Sequence, residues 1–164
     1  MKLLALDPGY ERLGIAVLEK NKSDKKASLL YSDCFKTPAK IKFADRLLLL
    51  GNEIGRVIAL FSPEALAIES LFFNTNQKTA MMVSEARGVY IFQAKSSGLE
   101  IFEYTPPQIK LAIASHGHSD KEQVRKMLLY QIEIEKEITY DDEFDAIAVG
   151  LTCFASEKFP PSEK

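Results

Sequence analysis

Three apolar runs crowd into the first 35 residues, at 3–6, 13–18 and 27–35, and the connections between them are too short to hold a helix. Consecutive strands joined that tightly pair antiparallel, so the chain opens as a three-stranded meander with Pro8-Gly9 at its first connection. From Phe43 the apolar residues fall at 43, 47, 50, 54, 57 and 61, steps of three and four that mark one helical face ending before Ser62-Pro63. Residues 65–70 read as a short buried strand, and a right-handed crossover places it parallel to the first strand, with both C-terminal ends at one edge. Asn74 or Thr75 can cap a helix running to about residue 97, and 100–104 resembles a fifth strand. Pro106-Pro107 opens another helix, a fourth follows Ser119 or Asp120, and the last starts near Asp141. The predicted order is βββαβαβααα, an α/β fold on a five-stranded mixed sheet flanked by helices.

With 164 residues the chain is one domain's worth, read as a single domain over 1–157 and a flexible C-terminal tail over 158–164. That length has no room for a two-lobed kinase or ATPase with a nucleotide cleft between full domains. No apolar run approaches the roughly 18 residues that span a bilayer, and the first one meets Asp7 too soon for a signal-peptide core, so a cytoplasmic protein without a membrane partner is expected. Cys34 and Cys153 form no CxxC pair and read as reduced thiols, not as a disulfide framework or a zinc site. The net charge of −2 argues against nucleic acid until its distribution is seen. Residues 1–130 hold 18 Lys+Arg against 14 Asp+Glu, and residues 131–164 hold 3 against 9, so the acidity is a C-terminal feature.

Charged side chains are rarely buried without a partner, so the acids in LLALDPG and ALAIESLFF are inconsistent with simple core packing. Asp7 also suits a turn ahead of Pro8-Gly9, whereas Glu69 has no such local reason. Asp142 and Asp145 stand three apart on one helical face, though acids in a first helical turn are more often caps or dipole partners, and Asp141 pairs with Asp145 at i,i+4 just as well. Two strand-end carboxylates and two from one helical turn make four like-charged oxygen ligands, which repel unless hard cations sit among them. Mg²⁺ is the natural cation, and two such ions roughly 4 Å apart can activate water and clamp a scissile phosphate.

The segments LALDPGYERLG, AIESLFFNTN, EARGV, FEYTPPQIK, SDKEQV and DEFDAIAVGLT, in this order, resemble the RuvC family of Holliday junction resolvases over nearly the whole chain. The resemblance implies a ribonuclease H-like fold, a homodimer, and Mg²⁺-dependent symmetric nicking of four-way junction DNA in recombination and repair, with two ions per site and Mn²⁺ able to substitute. It matches Asp7, Glu69, Asp142 and Asp145 to the family's four metal ligands, and selects Asp142 over Asp141. It matches Lys110 and Lys121 to basic residues near the scissile phosphate, with Lys121 in a catalytic role. A branch-migration motor complex is a further candidate partner.

Read without the family, Lys110, Lys121 and Arg125 fit either a phosphate backbone or a solvated helix face; the resemblance favours phosphate for the two lysines, and Arg125 is a candidate DNA contact beside them. Phe72 and Phe73 follow the Glu69 strand and suit either base stacking at a junction centre or packing onto the next helix, with the resemblance favouring Phe72 as the wedge. Ser115-His116-Gly117-His118 stands where the family expects two glycines with one residue between them, and neither histidine is assigned to catalysis. The helix over 76–97 is apolar around most of its circumference, which predicts either a central buried helix or a face that meets a second subunit. Competing readings are an RNA-processing nuclease of the same fold, a non-cleaving junction-binding module, and a sugar-kinase or actin-like ATPase half-domain, the last opposed by length.

Overall fold

The computed structural model describes residues 1–21, 23–71, 77–114 and 121–159, and the side chains of Gln77, Lys78 and Lys121 are outside that set. Strands β1 (Lys2–Asp7), β2 (Arg12–Glu19) and β3 (Ala27–Lys36) form the antiparallel meander. Helix α1 (Phe43–Phe61) crosses to β4 (Ala65–Glu69), which pairs parallel with β1. Helix α2 (Gln77–Ser96) leads to β5 (Glu100–Tyr104), and α3 (Pro106–Ala114), α4 (Lys121–Gln131), β6 (Ile132–Glu133) and α5 (Asp141–Ser156) complete the chain. The sheet is mixed, in the order β5-β4-β1-β2-β3-β6.

The expected five strands become six, because Ile132–Glu133 pairs parallel with Ala27 and Ser28 at the far edge. Two residues carry no periodicity, and their pairing depends on where α4 sets the chain down, so this strand has no local signal.

Alternation along β1 sorts the core into two layers. Leu4 and Leu6 face α1 and α2, packing with Leu50, Ile54, Val57 and Tyr90. Leu3 and Ala5 face the other way, toward α5 and toward Ile109 of α3 and Leu128 of α4. Period two therefore puts Asp7 on the α5 face, and Glu69 joins it there behind Ala65 and Ala67. Small residues let α5 lie close to this face: a Cβ on Gly150 would meet Leu18 Cδ1 at 2.6 Å and Ala5 Cβ at 3.1 Å.

Helix α1 ends where Ser62 turns left-handed at φ 48° and donates its N–H to the Ile58 carbonyl at 2.8 Å, just ahead of Pro63. Helix α2 buries Ala86, Tyr90 and Ala94 and leaves Met81 and Phe92 63% and 71% exposed. It is thus packed on one side only. Both cysteines are free and buried, and burial pushes both thiols up. Phe159, beyond the expected domain end at 157, sets its ring edge-on to Phe102 and Phe154. Among the described residues no helix is long and apolar enough to cross a membrane.

Candidate active site

Parallel pairing of Leu6 with Ile68 brings the ends of β1 and β4, and so Asp7 and Glu69, to one sheet edge. The chain leaves β1 through Pro8-Gly9, a turn held from two sides. Tyr90 of α2 donates its hydroxyl to the Gly9 carbonyl at 2.5 Å, and Thr37 shares its hydroxyl between the carbonyls of Tyr10 and Glu11 at 3.1 and 3.2 Å. Burial, and then the charge of Asp7, raise the Tyr90 phenol well above its ordinary range, so it stays a donor.

Glu69 is half-buried at the end of β4, and burial followed by the charge of Asp145 carries its carboxyl from 4.5 to about 7. Arg87, from the EARGV segment, fixes this strand end. Its Nε donates to the Glu69 carbonyl at 3.2 Å while its terminal nitrogen pairs with Glu103 of β5.

The first turn of α5 carries Asp141, Asp142 and Glu143, where the helix dipole favours negative charge. Each acid has a different surrounding. Asp142 pairs with Arg12 of β2. Glu143 turns inward, 4% exposed, and accepts from the Ser32 hydroxyl at 2.7 Å and the Lys136 ammonium at 2.6 Å. Burial raises this carboxyl, but donation from Lys136 and Ser32 outweighs it and holds it below its ordinary value. Asp141 is exposed, on the wall of a cleft of about 430 Å³ that it shares with Glu69, Lys110, Arg125 and Asp145.

Gly14 explains how α5 reaches the strand ends. It lies opposite Asp7 in the β1–β2 register, and a Cβ there would stand 2.1 Å from the Asp142 carbonyl oxygen and 3.1 Å from the Asp7 Cβ. Only the bare backbone leaves room for the first turn of α5 to close on the β1–β2 pair beside Asp7. Of the four predicted acids, Glu69 and Asp145 share the cleft wall and interact through charge; at Gly14 it is the Asp142 backbone carbonyl that comes up beside the Asp7 Cβ, while the Asp142 carboxylate pairs with Arg12 and Asp141 lines the cleft. Among the described residues no three acids, histidines or cysteines are drawn closely enough together to hold an ion as they stand. Arg12 takes one oxygen of Asp142. Carboxylate oxygens are the donors a hard divalent cation takes, and Glu69, pushed toward protonation by burial and then by Asp145, is a carboxylate whose charge such a cation would offset.

Of the predicted DNA contacts, Lys110 is exposed on the cleft wall, and Arg125 stacks its guanidinium 4.1 Å from the centroid of the Phe144 ring. Phe72, Phe73, the Ser115-His116-Gly117-His118 segment and the Lys121 side chain lie outside the described residues. Sequence reasoning missed Arg12, Gly14, Arg87 and Tyr140. The first two sit inside LDPGYERLG and Arg87 inside EARGV, so the motifs held them, but their roles depend on strand register and on contacts with α5 and β5.

The chain matches the family described as "Crossover junction endodeoxyribonuclease RuvC" over residues 3–153. It is 42% identical over 157 residues to the crossover junction endodeoxyribonuclease RuvC of Thermosipho melanesiensis, covering 96% of this chain and 98% of that one. Among solved structures it superposes on Thermus thermophilus RuvC with a TM-score of 0.85 at 31% identity, covering 94% of each chain. It also matches T. thermophilus RuvC in complex with Holliday junction substrate, with a TM-score of 0.86 at 31% identity, covering 93% of this chain and 92% of that one.

Proposed function

The chain belongs to the RuvC family of crossover junction endodeoxyribonucleases, and from that premise we propose that it resolves four-way DNA junctions by paired, Mg²⁺-dependent nicks. The observation that supports the reading is the cleft at the end of β4, where Glu69 and Asp145 meet the cations Lys110 and Arg125, with Asp7 ending the neighbouring strand and Asp142 in the first turn of α5. These four carboxylates are the proposed ligands, and Mg²⁺, when bound there, supplies Lewis-acid activation of water and of the scissile phosphate. Mn²⁺, equally an oxygen-seeking cation, substitutes in the same ligand set.

The chain's own groups do the rest. Lys110 and Arg125 hold phosphate at the cleft wall, and Lys121, at the start of α4, adds positive charge at the reacting phosphate. Phe72, with Phe73 beside it, is the proposed wedge against unpaired bases at the junction centre. A homodimer supplies the second nick, and the exposed Met81 and Phe92 on α2 support a partner subunit on that side.

The test uses a labelled four-way DNA junction, a matched duplex and a structured RNA, each with Mg²⁺ or with EDTA. Paired symmetric nicks in the junction with Mg²⁺ alone are expected. Equal cutting of duplex or RNA contradicts the substrate assignment.

A further inference from the structure

The sheet edge that carries the acids continues past them. Because β2 runs antiparallel to both β1 and β3, Arg12 and Lys36 lie directly opposite each other at the same edge as Asp7. Two like charges placed opposite across neighbouring strands cost stability. Both also meet one aromatic ring: Tyr140, just ahead of α5, has Lys36 Nζ 3.6 Å and the Arg12 guanidinium carbon 5.5 Å from its centroid. Asp142 answers Arg12, while Lys36 is exposed and has no acidic partner among the described residues.

The strand order β5-β4-β1-β2-β3 then gives the edge a charge sequence. Lys110 and Arg125 stand beside the β4 end, Asp7 and Glu69 end the two middle strands β1 and β4, and Arg12 and Lys36 follow on β2 and β3. From β1 to β3 is two strand spacings, about 10 Å. A polyanion laid along this edge meets cations on both sides of the acids.

We propose that Arg12, Lys36 and Tyr140 form a second phosphate-contact surface, on the opposite side of the acids from Lys110 and Arg125, so that the cut strand is held on both sides of the scissile bond. This surface rests on the nuclease reading above. Tyr140 presents the two cations side by side, and the repulsion between them is relieved when a phosphate sits over the pair.

Lys36 is the residue to change, since Arg12 also holds Asp142. Binding of the wild type and of Lys36→Gln to a four-way junction is measured in EDTA between about 50 and 200 mM salt, with Lys20→Gln, just past the opposite end of β2, as the control. Lys36→Gln is expected to flatten the slope of log K against log salt by about 0.9, so that its affinity deficit shrinks about threefold across that range. Its melting temperature should move by less than about 2 °C, because the lost ring contact and the lost repulsion offset each other. An unchanged slope, or an equal flattening in Lys20→Gln, overturns the surface. A wild type that fails to bind the junction overturns the nuclease reading as well.

Discussion

Glu69→Gln is expected to abolish cleavage while raising the melting temperature of the metal-free protein, more at pH 8 than at pH 5. The carboxyl is carried from 4.5 to about 7 by burial and by Asp145, so between those values the folded protein holds a proton that the unfolded chain releases. Stability therefore falls as pH rises through that window, and above pH 7 the ionised carboxylate costs the fold up to about 3 kcal/mol. Glutamine removes the cost by removing the charge, and with it a proposed metal ligand. Junction binding should persist, since the proposed phosphate contacts are elsewhere. A variant that still cuts, or one that melts lower at pH 8 than the wild type, contradicts this account of Glu69.

Gly14→Ala is expected to cost about 1–3 kcal/mol of stability and about 100-fold in cleavage. The new methyl would stand 2.1 Å from the Asp142 carbonyl oxygen, which belongs to helix backbone and cannot swing aside. Helix α5 must shift, and Asp142 shifts with it relative to Asp7. Misplacing one ligand by about 1 Å is enough for a loss of that size. Thermal melting and cleavage measured on the same preparation separate the two effects, and a fully active Gly14→Ala protein would show that α5 does not set the Asp142 position.

The core strands and helices were legible because their signals are local. Steps of three and four over 43–61 mark a helix wherever it is docked, and the acids ending β1 and β4 stand out against apolar neighbours. What escaped the sequence is long-range. The pair between Arg12 and Asp142 spans 130 positions, and the bond from Ser32 that buries Glu143 spans 111. In DDEFD the one-dimensional pattern shows four acids with no sign of which turns inward. Only the docking of α5 on β2 and β3 sends Glu143 to Ser32 and Lys136 while Asp142 meets Arg12. Strand β6 escaped for the same reason, as did the crowding at Gly14, which appears only once β1 and β2 are in register.

The central claim is that Asp142, and not the adjacent Asp141, joins Asp7, Glu69 and Asp145 in holding the catalytic ion. Its most direct test is Mn²⁺ binding, read as loss of the free-ion resonance signal, in the wild type, Asp142→Asn and Asp141→Asn. Asp142→Asn should weaken binding by at least about tenfold, because the ligand set loses a charge. Asp141→Asn should bind as the wild type does, since asparagine at a helix start still accepts from the free amides. Wild-type affinity in Asp142→Asn together with its loss in a folded Asp141→Asn would contradict the assignment.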